Sequence, residues 1–134
     1  MPNMLRLPHL ALGELERLVL DLLWSEGPLN PVSVHQRIGA ARGISPNTVS
    51  SALKRLYEKG LLKREKVSHA FVYRAAMTRA EFQRDMIGSV ASQFGDLGGS
   101  GVLAAFVDLA ESRGEDTLRR LEQMIAERLA GADE

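Results

Sequence analysis

Cysteine is absent from this 134-residue chain, and aromatic residues make up only 5% of it. Without cysteine the chain can form no disulfide, no thiolate metal site and no cysteine nucleophile. Its apolar residues are mostly leucine, alanine and valine. This composition favours helices over an extensive sheet.

Long apolar runs are also missing. No stretch approaches the roughly 20 residues that a membrane-spanning helix requires, so we expect no membrane insertion. The N-terminal segment is interrupted by Pro2, Pro8 and charged residues, which is not typical of a secretory signal peptide. Together with the lack of cysteine, these features predict a cytoplasmic protein.

Patterns typical of catalytic or cofactor sites are absent as well. The histidines, His9, His35 and His69, show no metal-ligand spacing, and the chain has no glycine-rich phosphate loop. No acidic pair stands beside a nucleophile with an evident base. The sequence therefore predicts no enzyme activity, no metal site and no cofactor.

The net charge is zero, but it is divided unevenly along the chain. Residues 1–75 hold 11 Lys/Arg against 6 Asp/Glu, a net +5, whereas residues 76–134 hold 6 against 11, a net −5. The basic half can therefore bind phosphate groups of a nucleic acid, although the net charge of the whole chain is zero.

Three helices are predicted in the basic half. Apolar residues recur with helical spacing over 13–26, and a second, shorter helix begins at Asn30-Pro31. The third runs from Ser45 to Lys59 and ends at Gly60. Its inward face is predicted to consist of Val49, Ala52, Leu53 and Leu56.

A β-hairpin is predicted next, with strands over 61–67 and 70–74 around Ser68-His69. Three helices and a hairpin within this length are typical of a winged helix-turn-helix. Helical patterns resume at Thr78, which forms a capping box with Glu81, and continue after a glycine-rich break at 95–101. The predicted fold is mostly α with a small β-hairpin: a winged helix-turn-helix over 1–76 and a helical dimerisation region over 77–134.

A polar stripe on the third helix, next to a basic hairpin, indicates DNA binding. A helix of this kind fits the major groove and presents short polar side chains to base edges, while cations contact phosphates. Each feature alone is more typical of a solvated surface than of DNA binding. Their combination with the basic half and with the order of the elements favours DNA. The predicted DNA-binding residues are Asn47, Thr48, Ser50, Ser51, Lys54, Arg55, Lys63, Arg64, Lys66 and His69.

Four segments together resemble the penicillinase-repressor (BlaI/MecI/CopY) family of bacterial winged-helix repressors. They are LGELERLVLDLLW, PVSVHQRI, NTVSSALKRLYEKGLL and KREKVSHAFVYRA, and GVLAAFVDLAES resembles the family's dimerisation helix more weakly. The resemblance implies a transcriptional repressor that acts as a homodimer on a palindromic double-stranded DNA operator.

The helices after residue 78 agree with this implication. They are too few to form a core of their own, yet they carry apolar faces that need burial, and a two-fold dimer is the commonest solution. The alternative is that they pack only on their own winged domain. The predicted dimerisation residues are Val102, Leu103, Phe106, Val107, Leu118, Leu121 and Ile125.

The chain departs from the family where release from DNA is controlled. Some members are cleaved at an Asn-Phe bond by a protease that a membrane sensor activates, but here the corresponding stretch is Gly98-Gly99-Ser100-Gly101. The cysteines of copper-responsive members are missing, and the wing turn has Ser68-His69 where Gly-Arg is common. The resemblance thus implies a sensor-protease partner, although this chain lacks the Asn-Phe pair at that stretch.

Two other functions remain open at this point. The protein could be a small-molecule-responsive winged-helix regulator, although the scarcity of aromatic rings disfavours a rich apolar ligand pocket. It could also be a protein-interaction module with no DNA role, since a fold does not fix function.

Overall fold

The computed structural model describes residues 12–94 and 100–132. In these ranges the elements are α1 (Glu14–Glu26), α2 (Pro31–Val34), α3 (Pro46–Glu58), β1 (Leu62–Val67), β2 (Ala70–Ala75), α4 (Arg79–Phe94), α5 (Ser100–Ser112) and α6 (Glu115–Ala132). The α2 helix continues as a π-helical turn, His35–Gly39, and a 3₁₀ turn, Ala40–Arg42. This order confirms the predicted winged helix-turn-helix followed by further helices. No helix in the described ranges is long and apolar enough to cross a membrane.

The helix starts follow from local capping. Asn30 Oδ1 accepts from the Ser33 amide at 2.8 Å at the start of α2, and Ser45 Oγ accepts from the Thr48 amide at 3.1 Å at the start of α3. A proline follows each cap, at a position where its missing N–H costs no helical hydrogen bond. The predicted capping box of α4 is present too: the Thr78 amide donates to Glu81 at 2.9 Å, and the Glu81 amide donates to the Thr78 hydroxyl at 3.1 Å.

Gly60 ends α3 as predicted. Its φ is +82°, and the amides of Gly60 and Leu61 donate to the carbonyl oxygens of Tyr57 and Leu56, each at 3.0 Å. This paired pattern satisfies the last helical carbonyls and needs a residue that tolerates left-handed backbone. The chain thereby turns directly from α3 into β1.

One apolar core joins the three helices to the hairpin. The predicted inward residues of α3 are all fully buried. The core cluster consists of Val19, Leu20, Leu23, Val34, Ile38, Val49, Leu53, Leu56, Leu61, Leu62, Tyr73 and Phe82. The exposed face of α3 is therefore held from behind on close-packed side chains.

The hairpin is antiparallel, and it pairs Leu62 with Ala75 and Val67 with Ala70. On its other side β2 is extended by a single bridge between Tyr73 and Leu29. In the turn, Ser68 takes a φ of +59°, so the tight turn forms without glycine. The predicted strands are confirmed to within one residue.

Contacts divide the chain into units of residues 1–89 and 90–134, whereas the sequence predicts a boundary at 76/77. The difference arises because α4 begins on the winged helix: Phe82 is buried there, with its ring centroid 5.4 Å from that of Trp24. Trp24 also donates from Nε1 to the carbonyl oxygen of Met77 at 2.9 Å.

In the second unit, α5 and α6 pack against each other across a turn at Gly114, whose φ is +115°. The predicted glycine-rich break falls partly outside the described residues, at 95–99, and α5 already begins at Ser100.

Candidate nucleic-acid interface

The face of α3 opposite the core is polar and open. At about 100° per residue, the burial of Val49, Leu53 and Leu56 turns the remaining side chains outward. The outward side chains, all exposed, are Asn47, Ser50, Ser51, Lys54 and Glu58. Tyr57, seven positions after Ser50, is the large ring that is also exposed on this side of the helix. Glu58 lies one turn after Lys54, so the part of the face that suits an anionic partner is the N-terminal part.

Two further predicted residues, Thr48 and Arg55, lie along the α1 edge of α3 and are held by the protein. The Thr48 hydroxyl is 2.9 Å from Ser45 Oγ, within the helix cap. Arg55 Nε donates to Glu16 Oε1 at 3.4 Å, although half of the Arg55 side chain remains exposed. Both are therefore less available for a DNA phosphate than their position in the stripe predicts.

Glu16 is the acidic residue that sequence reasoning underestimated. Its position in the first turn of α1 predicts only a favourable interaction with the helix dipole. In the structure its side chain is 9% exposed, and it accepts from Lys59 Nζ at 2.8 Å as well as from Arg55. These contacts join α1 to the edge of α3.

The four predicted hairpin residues do not share one face. Alternation along β1 places Lys63 on one side, cross-strand from Arg74, and Arg64 and Lys66 on the other, cross-strand from Tyr73 and Phe71. Only the second side faces α3. His69 is exposed in the turn. A count of basic residues in the sequence does not show on which side of the hairpin each of them lies.

Arg64 is enclosed by aromatic rings. Its guanidinium carbon lies 3.9 Å from the ring centroid of Tyr57 on α3 and 4.1 Å from that of Phe71. Its Nη1 donates to the Tyr73 hydroxyl at 3.4 Å, and this bond is the main cause that raises the pKa of Arg64. Tyr57, which sequence reasoning did not include in the site, is the α3 side of this stack.

The helix-turn-helix itself is closely packed at Gly39. The sequence suggests a fraying helix end between Gly39 and Gly43, but Gly39 is buried, and a Cβ there would lie 3.1 Å from Val49 Cγ2. His35 Nε2 donates to the carbonyl oxygen of Ile44 at 2.8 Å and closes the turn before α3. These contacts fix Gly39 against α3, whereas residues 40–43 beyond it are exposed.

The residues predicted for dimerisation form apolar faces on α5 and α6. Leu103, Phe106, Val107 and Ile125 are exposed to between 38% and 53%, and Val102, Leu118 and Leu121 are half-buried. A cavity of about 440 Å³ beside them is lined by Val107, Leu118, Leu121 and Ile125, among others. Within the described residues, no group of three potential ligands could hold a metal ion.

Comparisons with known proteins give a consistent result. The family model described as "Penicillinase repressor" matches residues 12–127. The transcriptional regulator BlaI of Mycobacterium tuberculosis is 33% identical over 121 residues, which cover 90% of this chain and 86% of that protein.

Two solved structures are also similar to this chain. The DNA-binding domain of the repressor BlaI matches with 26% identity and a TM-score of 0.48 over 52% of this chain and 85% of that one. A structure of hsRosR matches with a TM-score of 0.51 and 15% identity over 93% of this chain and 96% of that one, a similarity of fold alone.

Proposed function

The chain belongs to the penicillinase repressor family of DNA-binding transcriptional regulators, and from this premise we propose that it represses transcription as a homodimer on a palindromic operator. The observation that carries the proposal is the exposed polar face of α3, held on a rigid core beside a basic hairpin. Repression by occupying a promoter requires binding alone, with no catalytic step. Its site of action is the bacterial cytoplasm, where the chromosome lies.

The α3 face is suited to the major groove. Asn47, Ser50, Ser51 and Lys54 are exposed on it and offer the donors and acceptors that distinguish base pairs. We assign base contacts to these four residues. Because Thr48 and Arg55 are held within the protein, we assign them a secondary part, at the phosphates beside the α1 edge.

Lys66 is the residue of the hairpin best placed for a phosphate. It is exposed, it lies on the same side of β1 as Arg64, and that side faces α3. Lys63 points to the opposite side and His69 lies in the turn. On a duplex held by α3, the α3-facing side of the hairpin lies nearer to the backbone, so Lys66 is expected to contribute more than Lys63.

The homodimer is supported by the exposed apolar faces of α5 and α6. Leu103, Leu109, Ile125 and Leu129 are each at least half exposed, a pattern that is costly in water when the residues are contiguous. A second copy of these helices would bury them and would fill the cavity beside Val107. The two-fold axis would then set the spacing between two α3 helices.

The proposal is tested by titrating DNA from upstream of the protein's own gene at several salt concentrations. The logarithm of the binding constant K falls linearly with log [salt], and each phosphate contact adds about 0.9 to the steepness of this fall, called the slope below. Lys66→Ala removes one contact in each of two protomers and should lower the slope by about two. Arg128→Ala, which removes the same charge on α6, is the matched control and should leave the slope unchanged.

Two further variants test base reading and the dimer separately. Ser51→Ala should weaken binding to the operator more than binding to unrelated duplex, because a base contact carries sequence information. Equal slopes in all variants, with no preference for the upstream DNA, would overturn the proposal. Analytical ultracentrifugation of Leu103→Asp, compared with the wild type, tests the dimer: the variant should sediment as a monomer.

A further inference from the structure

Arg64 draws together a large share of the few aromatic rings in this chain. The protein has two tyrosines and four phenylalanines, and both tyrosines and one phenylalanine contact this arginine. Tyr57 comes from α3, whereas Phe71 and Tyr73 come from β2. The Arg64 side chain, which comes from β1, thus contacts both α3 and β2.

The contact is one that only arginine makes well. A planar guanidinium stacks on ring faces and still donates from its edge, whereas an ammonium is a point charge that is strongly hydrated. The Arg64 guanidinium lies over the rings of Tyr57 and Phe71, and one of its nitrogens donates to Tyr73, so contacts within the protein occupy much of this side chain.

Beyond Arg64 the hairpin has little else to hold it. Residues 65–71 are all exposed, whereas Leu62 and Tyr73 are buried in the core. The bridge to Leu29 supports β2 at Tyr73 and lies on the far side from β1. Along the α3-facing side, the contact of Arg64 with Tyr57 connects the hairpin to α3 just before Lys66 and the turn.

We propose that Arg64 is a positioning residue for DNA binding: it binds no phosphate, but clamps the wing onto α3 before DNA binds, so that Lys66 is held in advance at a fixed distance from the base-reading face. This rests on the proposed function, and it changes the role that the sequence predicts for Arg64, a direct DNA contact. A clamp and a phosphate contact differ in their dependence on salt, because only the latter releases counterions.

The test compares Arg64→Ala with Lys66→Ala on the operator, over a range of salt concentrations. In Arg64→Ala the wing is no longer held on α3, so it must be ordered when DNA binds, and Lys66 still reaches the backbone in the complex. This ordering cost should weaken binding about tenfold, equivalent to about 1.4 kcal/mol, at every salt concentration. Because the phosphate contact of Lys66 is kept, the slope should stay as in the wild type. Lys66→Ala should lower the slope by about two. If Arg64→Ala lowers the slope as Lys66→Ala does, Arg64 is a phosphate contact and the proposal is overturned.

Conservative substitutions give a second discrimination. Arg64→Lys keeps the charge but loses the planar stack, so it should bind as weakly as Arg64→Ala; recovery of wild-type affinity would contradict the clamp. Phe71→Leu changes no charge, yet it removes one face of the stack and should reproduce the Arg64→Ala loss. The double variant Arg64→Ala/Phe71→Leu should bind DNA no more weakly than either of these single variants, because the two residues act through one contact.

Hydrogen exchange without DNA separates failure of the clamp from failure of the proposed function. Amides of residues 65–71 should exchange faster in Arg64→Ala than in the wild type, while amides of α1 should not change. Unchanged exchange in the hairpin would overturn the clamp whether or not the protein binds an operator. Conversely, a wild-type protein that binds no DNA would overturn the proposed function and leave the exchange result to stand.

Discussion

Gly39 is the position where a single added methyl group should disturb the helix-turn-helix most. A Cβ on Gly39 would lie 2.7 Å from His35 Cδ2 and 3.1 Å from Val49 Cγ2. Neither neighbour can move freely, because the His35 ring is bonded to the carbonyl oxygen of Ile44 and Val49 is fully buried. The substitution Gly39→Ala must therefore displace α3 from the segment that follows α2.

The magnitude follows from two opposing effects. Overpacking a close contact typically costs about 1–3 kcal/mol. Alanine favours helical backbone over glycine by about 1 kcal/mol, which offsets part of this cost. The difference is about 0–2 kcal/mol, so we expect Gly39→Ala to lower the free energy of unfolding by about 1 kcal/mol, and the melting temperature by about 3–5 °C.

Thermal and urea unfolding of Gly39→Ala should be compared with Gly88→Ala. Gly88 lies within α4, and a Cβ there meets nothing within 4 Å. The same substitution should therefore stabilise the protein at Gly88, by about 0.5–1 kcal/mol. If Gly39→Ala is as stabilising as Gly88→Ala, the close packing argued for the helix-turn-helix is refuted.

Three further predictions concern charges and caps. Glu16→Gln removes the negative charge that Arg55 and Lys59 share, so it should destabilise the protein by about 2 kcal/mol in urea unfolding. It should not weaken binding to non-specific duplex at low salt, because the basic face loses an anion. An unchanged unfolding midpoint would contradict a structural role for these ion pairs. Ser45→Ala should cost about 1 kcal/mol through loss of the α3 cap, whereas Ser51→Ala, on the exposed face, should change stability little; equal effects would count against the cap. Hydrogen bonds from the Thr78 backbone and hydroxyl lower the pKa of Glu81 from its ordinary value of 4.5, so its contribution to stability is present above that value and is lost as the pH falls through the lowered pKa. The melting temperatures of the wild type and Glu81→Gln should converge there, and parallel curves across the acid range would refute this assignment.

Local signals made much of the fold predictable. A cap residue followed by proline marks the starts of α2 and α3, and Gly60 marks the end of α3, because each acts on the backbone within a few residues. Helical spacing likewise predicts which face of α3 is buried. The residues of α3 that are not on the buried face form its exposed face, so most of the candidate DNA-reading side chains could be named from the sequence.

Contacts between distant residues could not be predicted in this way. The partners of Glu16 lie 39 and 43 residues away in the chain, and Arg64 meets Tyr57 only because Gly60 turns the chain back. Gly39 resembles a helix end in the sequence because the His35 and Val49 side chains that surround it are brought there by folding. In each case the pattern shows the residue type but not what that residue touches.

The basic residues of the winged helix differ in how far contacts within the protein already occupy them. Arg55 and Lys59 are bonded to Glu16, and the Arg64 guanidinium lies over two aromatic rings, whereas Lys54 and Lys66 are exposed. The number of phosphates neutralised should therefore be smaller than the number of basic residues in the winged helix. In the proposed interface the salt dependence should come mainly from exposed cations such as Lys66, and less from Arg55, whose charge is paired with Glu16.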